Sequence, residues 1–394
     1  MEPAAMEAVV PLLRQCALGC LAARAFVHDT FLTAGSTKAS ANLDVQVKGT
    51  LAHKGGAKDM VTAADIAVQE VIVTALTAPQ YRSRVFNAGH GAGAGKLPYE
   101  IVGEEELDET TAAVAERRLE AYGRFIDAAE KSPEYEALAA LLPAGPPERW
   151  PDASDITVFV DPIDATLAFI DGCRVAPMTL IGIASRGVPV AGLASRVFSS
   201  DDSASDKLEF PSALSLCVET GPCVLWGQRL HQTLPQAGKS SGLRGTFSGS
   251  TKAAEQATLL GMLRPFEDRP ARGGGNKILM VAQAAAKLRG GSVSHPHSTS
   301  TAARKSAPNA DFFVSSTGLK MWDTCGPHAF LRWLGGDVYT VKRTDQATAL
   351  EELRYDHRRH GTAVTRPGRA IMAVSGPEVR DECLRRMKSG MSRL

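Results

Sequence analysis

The chain has little excess charge of either sign, which limits the partners it can attract. It carries 44 Lys and Arg residues against 43 Asp and Glu residues, a formal net charge of +1. Binding to nucleic acid or to an anionic membrane by electrostatics needs a basic face, and nucleic-acid binding often adds an aromatic array. Neither pattern is present, so the composition predicts no nucleic-acid partner and no membrane partner.

Signals for disulfides, zinc, secretion and membrane insertion are also missing. Seven cysteines are an odd number, and the pair with helical spacing, Cys16 and Cys20, lies in an apolar stretch that predicts buried thiols. No CxxC pair or Cys/His cluster predicts zinc. No stretch approaches a transmembrane span, and the acidic start with Glu2 and Glu7 is unlike a signal peptide. These absences predict a reduced, cytoplasmic compartment.

What the sequence does contain is an alternation of predicted strands and helices, which predicts a layered α/β fold. A polar stretch at 199–207 divides the chain into an N-terminal α+β half, 1–198, and a C-terminal α/β half, 208–394. Residues 292–310 have the composition of a flexible insertion.

Three further segments carry local predictions. A polar connector is expected at about 34–57, a helix from His328 to Leu334, and a charged helical stretch after residue 345.

The chain is organised around the segment Val158–Gly172. Its apolar start predicts a buried strand that stops at Asp161, because Pro162 cannot continue a central strand. Asp161 and Asp164 then stand three residues apart in a predicted turn, with the Ile163 carbonyl between them. An all-oxygen set of this kind suits a hard cation such as Mg²⁺. Taken alone, the segment is equally typical of an acidic turn that caps a helix.

Two residues after this turn offer donors as well. Thr166 supplies a hydroxyl, and the amides of Ala165 and Thr166 face an anion if a helix begins there.

Further acids stand near predicted strand ends, where α/β folds place their chemistry. Thr62 and Asp65 match a capping box, so Asp65 is interpreted as a helix cap, whereas Asp59 has no such structural role. Glu104 begins a run of three acids after a short strand, which is otherwise typical of a solvated edge, and Asp323 is alternatively a helix cap. Phosphate-ester hydrolysis by two or three Mg²⁺ ions needs about this number of carboxylates.

A glycine-rich segment, Gly273–Gly275, leads to Lys277, and Lys252 lies upstream. The amides of this segment and the two cations suit a second anionic group. The spacing differs from a Walker loop, and the motif is weak when it stands alone.

Four motifs together resemble one family. Gly103-Glu104-Glu105, Asp161–Thr166 and Trp322-Asp323 stand in the order of the inositol monophosphatase-like superfamily of lithium-sensitive, Mg²⁺-dependent phosphomonoesterases, and Asp59–Asp65 resembles its first signature. The resemblance runs from about residue 58 to the end. It implies a layered αβαβα sandwich with the active site between the two halves.

The resemblance also implies roles for single residues. The metal ligands are expected to form two overlapping sets, and Glu104 also helps to bind a third, looser ion. An acid and a hydroxyl are expected to orient and deprotonate the attacking water. Backbone amides and lysines are expected to bind the phosphates. The residues implied are Glu104, Asp161 and the Ile163 carbonyl for the first metal, Asp161, Asp164 and Asp323 for the second, Asp59 with Thr166 for the water, Ala165 and Thr166 for the scissile phosphate, and Gly275, Lys252 and Lys277 for another phosphate.

Within the superfamily the chain is similar to the branch of 3'(2'),5'-bisphosphate nucleotidase and inositol polyphosphate 1-phosphatase. Gly275–Ile278 and Trp322–Cys325 resemble the nucleotidase, whereas Ile163, Ala165 and His328 resemble the inositol enzyme. The resemblance implies removal of the 3'-phosphate of adenosine 3',5'-bisphosphate. The alternatives are 1-phosphate removal from inositol 1,4-bisphosphate and an inactive relative that binds phosphorylated ligands. Family members are monomers or homodimers, and either state is open here.

Overall fold

The structure is a computed structural model. It describes residues 3–31, 45–51, 57–82, 97–107, 111–142, 155–173, 176–198, 214–219, 221–230, 242–247, 254–288, 309–343, 348–365 and 369–391. The predicted insertion at 292–310 lies outside the described residues except for its last two positions.

The described helices are α1 (Pro3–Phe31), α2 (Ala63–Thr77), α3 (Pro79–Arg82), α4 (Ala112–Glu130), α5 (Pro133–Leu141), α6 (Thr166–Ile170), α7 (Ala254–Leu263), α8 (Gly274–Leu288), α9 (Met321–Trp333), α10 (His357–His360) and α11 (Pro377–Met391). The strands are β1 (Val45–Leu51), β2 (Ala57–Thr62), β3 (Glu100–Gly103), β4 (Ile156–Asp164), β5 (Met178–Ser185), β6 (Val188–Arg196), β7 (Leu214–Val218), β8 (Cys223–Leu225), β9 (Gln228–Leu230), β10 (Arg244–Phe247), β11 (Glu267–Asp268), β12 (Phe312–Ser315), β13 (Asp337–Arg343), β14 (Thr348–Glu352) and β15 (Ala370–Val374).

Two large sheets alternate with three layers of helices. A seven-stranded sheet runs in sequence order from β3 to β9, and a six-stranded sheet has the order β11-β10-β12-β15-β13-β14. Helices α1 and α2 cover one face of the first sheet, and α8 and α9 lie between the two sheets. Helices α7 and α11 cover the outer face of the second sheet. The predicted αβαβα sandwich is confirmed.

The central strand does not stop where its proline predicts. Strand β4 continues to Asp164, with a shift of register against β5 between Asp161 and Asp164. Pro162 has no N–H to give the ladder, so the chain bulges there and then pairs again. The bulge keeps Asp161 and Asp164 on one buried strand end instead of placing them in a loop.

Other boundaries also differ from the predictions. Helix α9 begins seven residues before His328, with Pro327 inside it, so Asp323 belongs to its first turn. The polar connector contains strand β1, which pairs with β2. The segment after residue 345, predicted to be helical, begins with strand β14, which is held by pairing with β13. Local propensity yields to tertiary pairing in both segments.

Helix α1 is the long apolar helix of the chain. Its stretch Ala8–Phe31 is long and apolar enough, by length and composition, to cross a membrane, contrary to the prediction that no stretch approaches a span. In the fold 72% of that apolar window is buried, and Cys16 and Cys20 face the core. The seven-stranded sheet also continues past residue 198 to Leu230, beyond the predicted boundary of the first half.

Candidate metal centre

Three carboxylates from two elements meet at the end of the central strand. Asp161 and Asp164 lie on β4, and Asp323 lies in the first turn of α9. One carboxylate oxygen from each residue lies within 4.8 Å of the other two. Asp161 and Asp164 are almost fully buried, whereas Asp323 is partly exposed. The cluster therefore opens to solvent on the side of Asp323.

Glu104 joins this cluster from the neighbouring strand. Strand β3 runs parallel to β4, and the Glu104 amide donates to the Val160 carbonyl at 3.0 Å, so Glu104 follows β3 beside Asp161. Its carboxyl is within hydrogen-bonding reach of Asp161. The next residue is fixed from the opposite side, because Gln69 bonds both the amide and the carbonyl of Glu105.

The raised pKa of Asp161 indicates that the carboxylate cluster needs a cation. Burial, followed by the charges of Glu104, Asp323 and Asp164, raises the pKa of Asp161 well above its ordinary value. Its Oδ1 is buried and has no hydrogen-bond partner among the described residues. A buried group of carboxylates that repel one another is stabilised by a cation. Because every donor is an oxygen, the set fits a hard divalent cation.

Asp164 is held by the N-terminus of helix α8. The Gly274 amide donates to its Oδ1 at 2.9 Å, and the Asn276 amide donates to its Oδ2 at 3.1 Å. Burial raises the Asp164 pKa, while these amides and the charge of Lys277 oppose that rise. The glycine-rich segment was predicted to hold a second anionic group. In the described structure its helix N-terminus faces Asp164, which fixes both oxygens of this carboxylate.

Backbone geometry at two positions makes this contact close. Ala165 has the left-handed φ of 68°, which turns the chain from β4 into α6. Gly273 has φ 81°, and a Cβ built there lies 2.5 Å from Asp164 Oδ2. Only glycine fits at residue 273 without moving the carboxylate.

The hydroxyl of Thr166 faces a second carboxylate outside this cluster. Its Oγ1 lies 3.1 Å from Asp65 Oδ1 and 3.0 Å from the Ile163 carbonyl oxygen. Asp65 also completes the predicted capping box of α2, since its Oδ2 accepts from the Thr62 amide at 2.8 Å. Burial raises the Asp65 pKa to about 6, against the hydrogen bonds from Thr62.

The sequence interpretation did not include Asp65 among the candidate site residues. The capping box was identified correctly, and the cap was taken as the whole explanation of Asp65. Asp59, preferred for that reason, lies on β2 with its backbone opposite Gly49, and its side chain is outside the described structure. The signal available in the sequence was Thr166, which follows Ala165, because its hydroxyl needs a hydrogen-bond acceptor nearby.

The remaining predicted substrate contacts are placed as follows. Lys252 lies outside the described residues. Lys277 is buried, with its Nζ 5.9 Å from the centre of the Phe313 ring. Gly275 packs against Leu180, and a Cβ built there lies 2.9 Å from the Asp323 carbonyl oxygen. Lys277 and Gly275 therefore adjoin the carboxylate cluster itself.

Helix α9 carries Asp323 to the cluster by a close approach to the sheet. A Cβ built on Gly326 lies 2.5 Å from the Ile181 carbonyl oxygen, and one on Gly182 lies 2.5 Å from Cys325 Cβ. A Cβ on Gly192 also meets Gly326. Gly326 is buried against β5 and β6 and sets the depth of α9.

The chain is similar in sequence to one family of known proteins. A family model described as the inositol monophosphatase family matches residues 30–373. The 3'(2'),5'-bisphosphate nucleotidase 1 of Dictyostelium discoideum is 28% identical over 194 residues, 48% of this chain and 54% of that protein. The Golgi-resident adenosine 3',5'-bisphosphate 3'-phosphatase of Homo sapiens is 25% identical over 189 residues, 48% of this chain and 43% of that protein. The chain spans about half the length of the curated relatives it matches.

A solved structure shows a similar fold. The extragenic suppressor protein suhB from Bartonella henselae has a TM-score of 0.50 at 16% identity and covers 96% of this chain and 98% of its own. That likeness concerns the fold alone, whereas the family model spans most of the chain, including Glu104, Asp161, Asp164 and Asp323. The protein belongs to the inositol monophosphatase family.

Proposed function

We propose that the protein is a Mg²⁺-dependent phosphomonoesterase that removes the 3'-phosphate of adenosine 3',5'-bisphosphate. Membership of the family supports phosphatase activity. The observation that carries the proposal is the buried carboxylate cluster in which Asp161 Oδ1 has no partner among the described residues. Such a cluster is costly to the fold and is useful only when a cation occupies it.

The ligands fall into two overlapping sets. Asp161, Asp164 and Asp323 form the set whose oxygens meet within 4.8 Å. Glu104 and the Ile163 carbonyl extend it on the β3 side, with Asp161 shared. Bound Mg²⁺ supplies charge neutralisation for the phosphate and acidifies a water. The carboxylate and carbonyl donors favour Mg²⁺, Mn²⁺ or Ca²⁺ over softer metals.

Thr166 and Asp65 are placed to handle the attacking water. The Thr166 hydroxyl lies 3.1 Å from Asp65 Oδ1, so when it donates to that oxygen, its own oxygen can accept a hydrogen bond from a water on the cluster side. With a pKa near 6, Asp65 is ionised at neutral pH and can hold this hydrogen bond. The pair orients the water for direct in-line attack; as the water loses a proton to the Thr166 oxygen, the Thr166 hydroxyl proton passes to the Asp65 carboxylate. Asp59 stays the alternative partner from the sequence.

The phosphate is held at the end of β4. The left-handed conformation of Ala165 turns the chain from β4 into α6, so the amides of Ala165 and Thr166 lie at the start of that helix. These amides are proposed to bind the scissile phosphate, and Gly275, Lys252 and Lys277 are proposed to contribute to the second phosphate. The partner is a small phosphorylated substrate.

Two observations favour adenosine 3',5'-bisphosphate over inositol 1,4-bisphosphate as the proposed substrate. The curated relatives are named for bisphosphate nucleotidase or adenosine 3',5'-bisphosphate 3'-phosphatase activity. Two residues that resembled the inositol enzyme, Ile163 and His328, are each 1% exposed, and His328 bonds other side chains. Packing explains these two residues without a substrate.

The test is phosphate release from adenosine 3',5'-bisphosphate and inositol 1,4-bisphosphate, each with Mg²⁺, with EDTA, and with Mg²⁺ plus Li⁺. We expect Mg²⁺-dependent release of phosphate, with a kcat/KM at least tenfold higher for adenosine 3',5'-bisphosphate than for inositol 1,4-bisphosphate. Preference for the inositol substrate overturns the substrate assignment and leaves the metal assignment intact. Release from neither substrate, with metal binding retained, favours a ligand-binding relative.

A further inference from the structure

A chain of hydrogen-bonded side chains crosses the apolar core between the two sheets. His328 Nε2 lies 2.5 Å from Asp337 Oδ1, and His328 Nδ1 lies 3.1 Å from the Tyr355 hydroxyl. The Thr324 hydroxyl, which donates to the Lys320 carbonyl at 3.1 Å, is the next polar neighbour of the Tyr355 oxygen. Thr324, His328 and Tyr355 are almost fully buried, and Asp337 reaches the surface.

The surroundings of this chain are apolar. The same core cluster contains Phe330, Leu331, Val338 and Leu353, all buried. Polar groups placed in such a core need every partner, and a complete network specifies one arrangement of its elements. Burial lowers the His328 pKa, so the ring is neutral at neutral pH and its Nε2–H donates to Asp337. Nδ1 is then the acceptor for the Tyr355 hydroxyl.

Tyr355 contacts two positions on one face of α9. Thr324 and His328 are four residues apart, so both point in the same direction from the helix. An α-helix turns by about 100° per residue, so fixing this face also fixes the direction of Asp323, the residue before Thr324. The close approach at Gly326 sets the depth of α9. The Lys320 amide donates to Asp323 Oδ2 at 2.6 Å and so holds this carboxylate within the first turn of its own helix. Contacts with other elements must then set the rotation of the helix.

Tyr355 also touches the other metal-binding element. Its ring lies 5.9 Å from the ring of Phe159, two residues before Asp161 and on the same face of β4. Its amide donates to the Gly187 carbonyl at 2.9 Å, in the turn between β5 and β6. Tyr355 is therefore held against the sheet that carries Asp161 while it holds the helix that carries Asp323.

We infer that Tyr355, with His328 and Asp337 behind it, is a positioning residue that sets the rotation of α9 and so brings Asp323 into metal-binding distance of Asp161 and Asp164. The inference rests on the proposed role of these three carboxylates in metal binding. It does not depend on which phosphate ester the protein hydrolyses.

The test measures metal binding directly on the full chain. Mn²⁺ is a suitable probe because it prefers the same oxygen donors as Mg²⁺, and the free ion is counted by electron paramagnetic resonance. Tyr355→Phe removes one hydroxyl from the chain. Outer groups that orient metal ligands typically contribute 10- to 100-fold to affinity. We expect the Kd for Mn²⁺ to rise about tenfold, and Mg²⁺ in excess to restore most of kcat.

Tyr81→Phe is the matched control. Tyr81 is as deeply buried as Tyr355, and its hydroxyl contacts the Gly123 carbonyl and Asp127 in a core on the far side of the first sheet. If Tyr355 only stabilises the core, Tyr355→Phe and Tyr81→Phe will both have a lower Tm and an unchanged Kd for Mn²⁺. That result overturns the inference.

Asp337→Asn keeps the inference testable if Tyr355→Phe does not fold. It retains an oxygen for His328 but removes the charge, so we expect a smaller rise in the Kd for Mn²⁺, about threefold or more. An unchanged Kd in a folded Asp337→Asn protein, or a wild type that binds no Mn²⁺, contradicts the inference. Loss of the proposed phosphatase activity with intact Mn²⁺ binding contradicts the proposed function alone.

Discussion

Asp65 uses one carboxylate oxygen to cap a helix and the other to face Thr166. Oδ2 accepts from the Thr62 amide at 2.8 Å, and Oδ1 lies 3.1 Å from the Thr166 hydroxyl. The helix cap thus fixes the rotamer of the carboxylate that orients Thr166. The structural role and the role proposed for Asp65 in the reaction are compatible because a carboxylate has two oxygens.

Exchange of Asp65 tests the proton path. Asp65→Asn keeps an oxygen for the helix cap, but an NH2 group then faces Thr166 and can accept neither its hydrogen bond nor its proton. The kcat for phosphate release is therefore expected to fall by about 10²-fold or more. Asp59→Asn, six residues away, is the comparison variant. A large loss of kcat in Asp59→Asn and none in Asp65→Asn restores the assignment made from the sequence.

The pH profile follows from the same residue. Because the folded pKa of Asp65 is raised to about 6, the carboxylate is protonated below that pH and ionised above it. We therefore expect kcat/KM to rise with pH through about 6 and the rise attributable to this group to be absent in Asp65→Asn. The measurement is kcat/KM between pH 5 and 8 at saturating Mg²⁺. An identical acidic limb in the variant argues against Asp65 as the group.

The left-handed turn at Ala165 stores backbone strain that glycine relieves. A non-glycine residue in this conformation costs about 1–2 kcal/mol, part of which is offset because glycine has a freer unfolded chain. Ala165→Gly is expected to raise the free energy of unfolding by about 0.5–1 kcal/mol, measured by urea denaturation. Ala165→Val, with a branched Cβ at φ 68°, should lower it. Equal stability of the two variants contradicts this account of the turn.

At position 273, in contrast, the fold already has the glycine it needs, and a larger residue is expected to destabilise it. A Cβ added at Gly273 would clash with Asp164 Oδ2, and φ at this position is 81°. Gly273→Ala is therefore expected to destabilise the fold by about 1–3 kcal/mol and to lower Mg²⁺ affinity. Gly261→Ala, in helix α7 with open space around the new methyl group, is the control and should stabilise by about 0.5–1 kcal/mol. Retention of normal Mg²⁺ activation in Gly273→Ala is the contrary result.

The sequence predicted the layered fold and the acids Asp161, Asp164 and Asp323, because buried strands followed by carboxylates leave a local signal. It did not predict that β4 continues through Pro162, since the bulge is stabilised by pairing with β5. Nor did it predict that the α8 amides face Asp164, a contact between residues 110 or more positions apart. Long-range contacts of this kind appear only once the chain is folded.

The position of His328 illustrates the same limit. His328 was one of the residues whose resemblance to the inositol enzyme kept the inositol substrate open, and the structure places it between Asp337 and Tyr355 in the core. A single histidine in a helical pattern does not reveal from its sequence whether it faces a substrate or a buried partner.

The most direct measurement compares wild type with Asp161→Asn for phosphate release and for thermal stability, each in Mg²⁺ and in EDTA. Because the folded pKa of Asp161 is raised, its ionised form weakens the metal-free fold at neutral pH, and asparagine removes that cost. We expect Asp161→Asn to have no turnover, a Tm in EDTA at or above that of wild type, and little further rise in Tm with Mg²⁺. Near-normal phosphate release by a folded Asp161→Asn protein would contradict the metal centre.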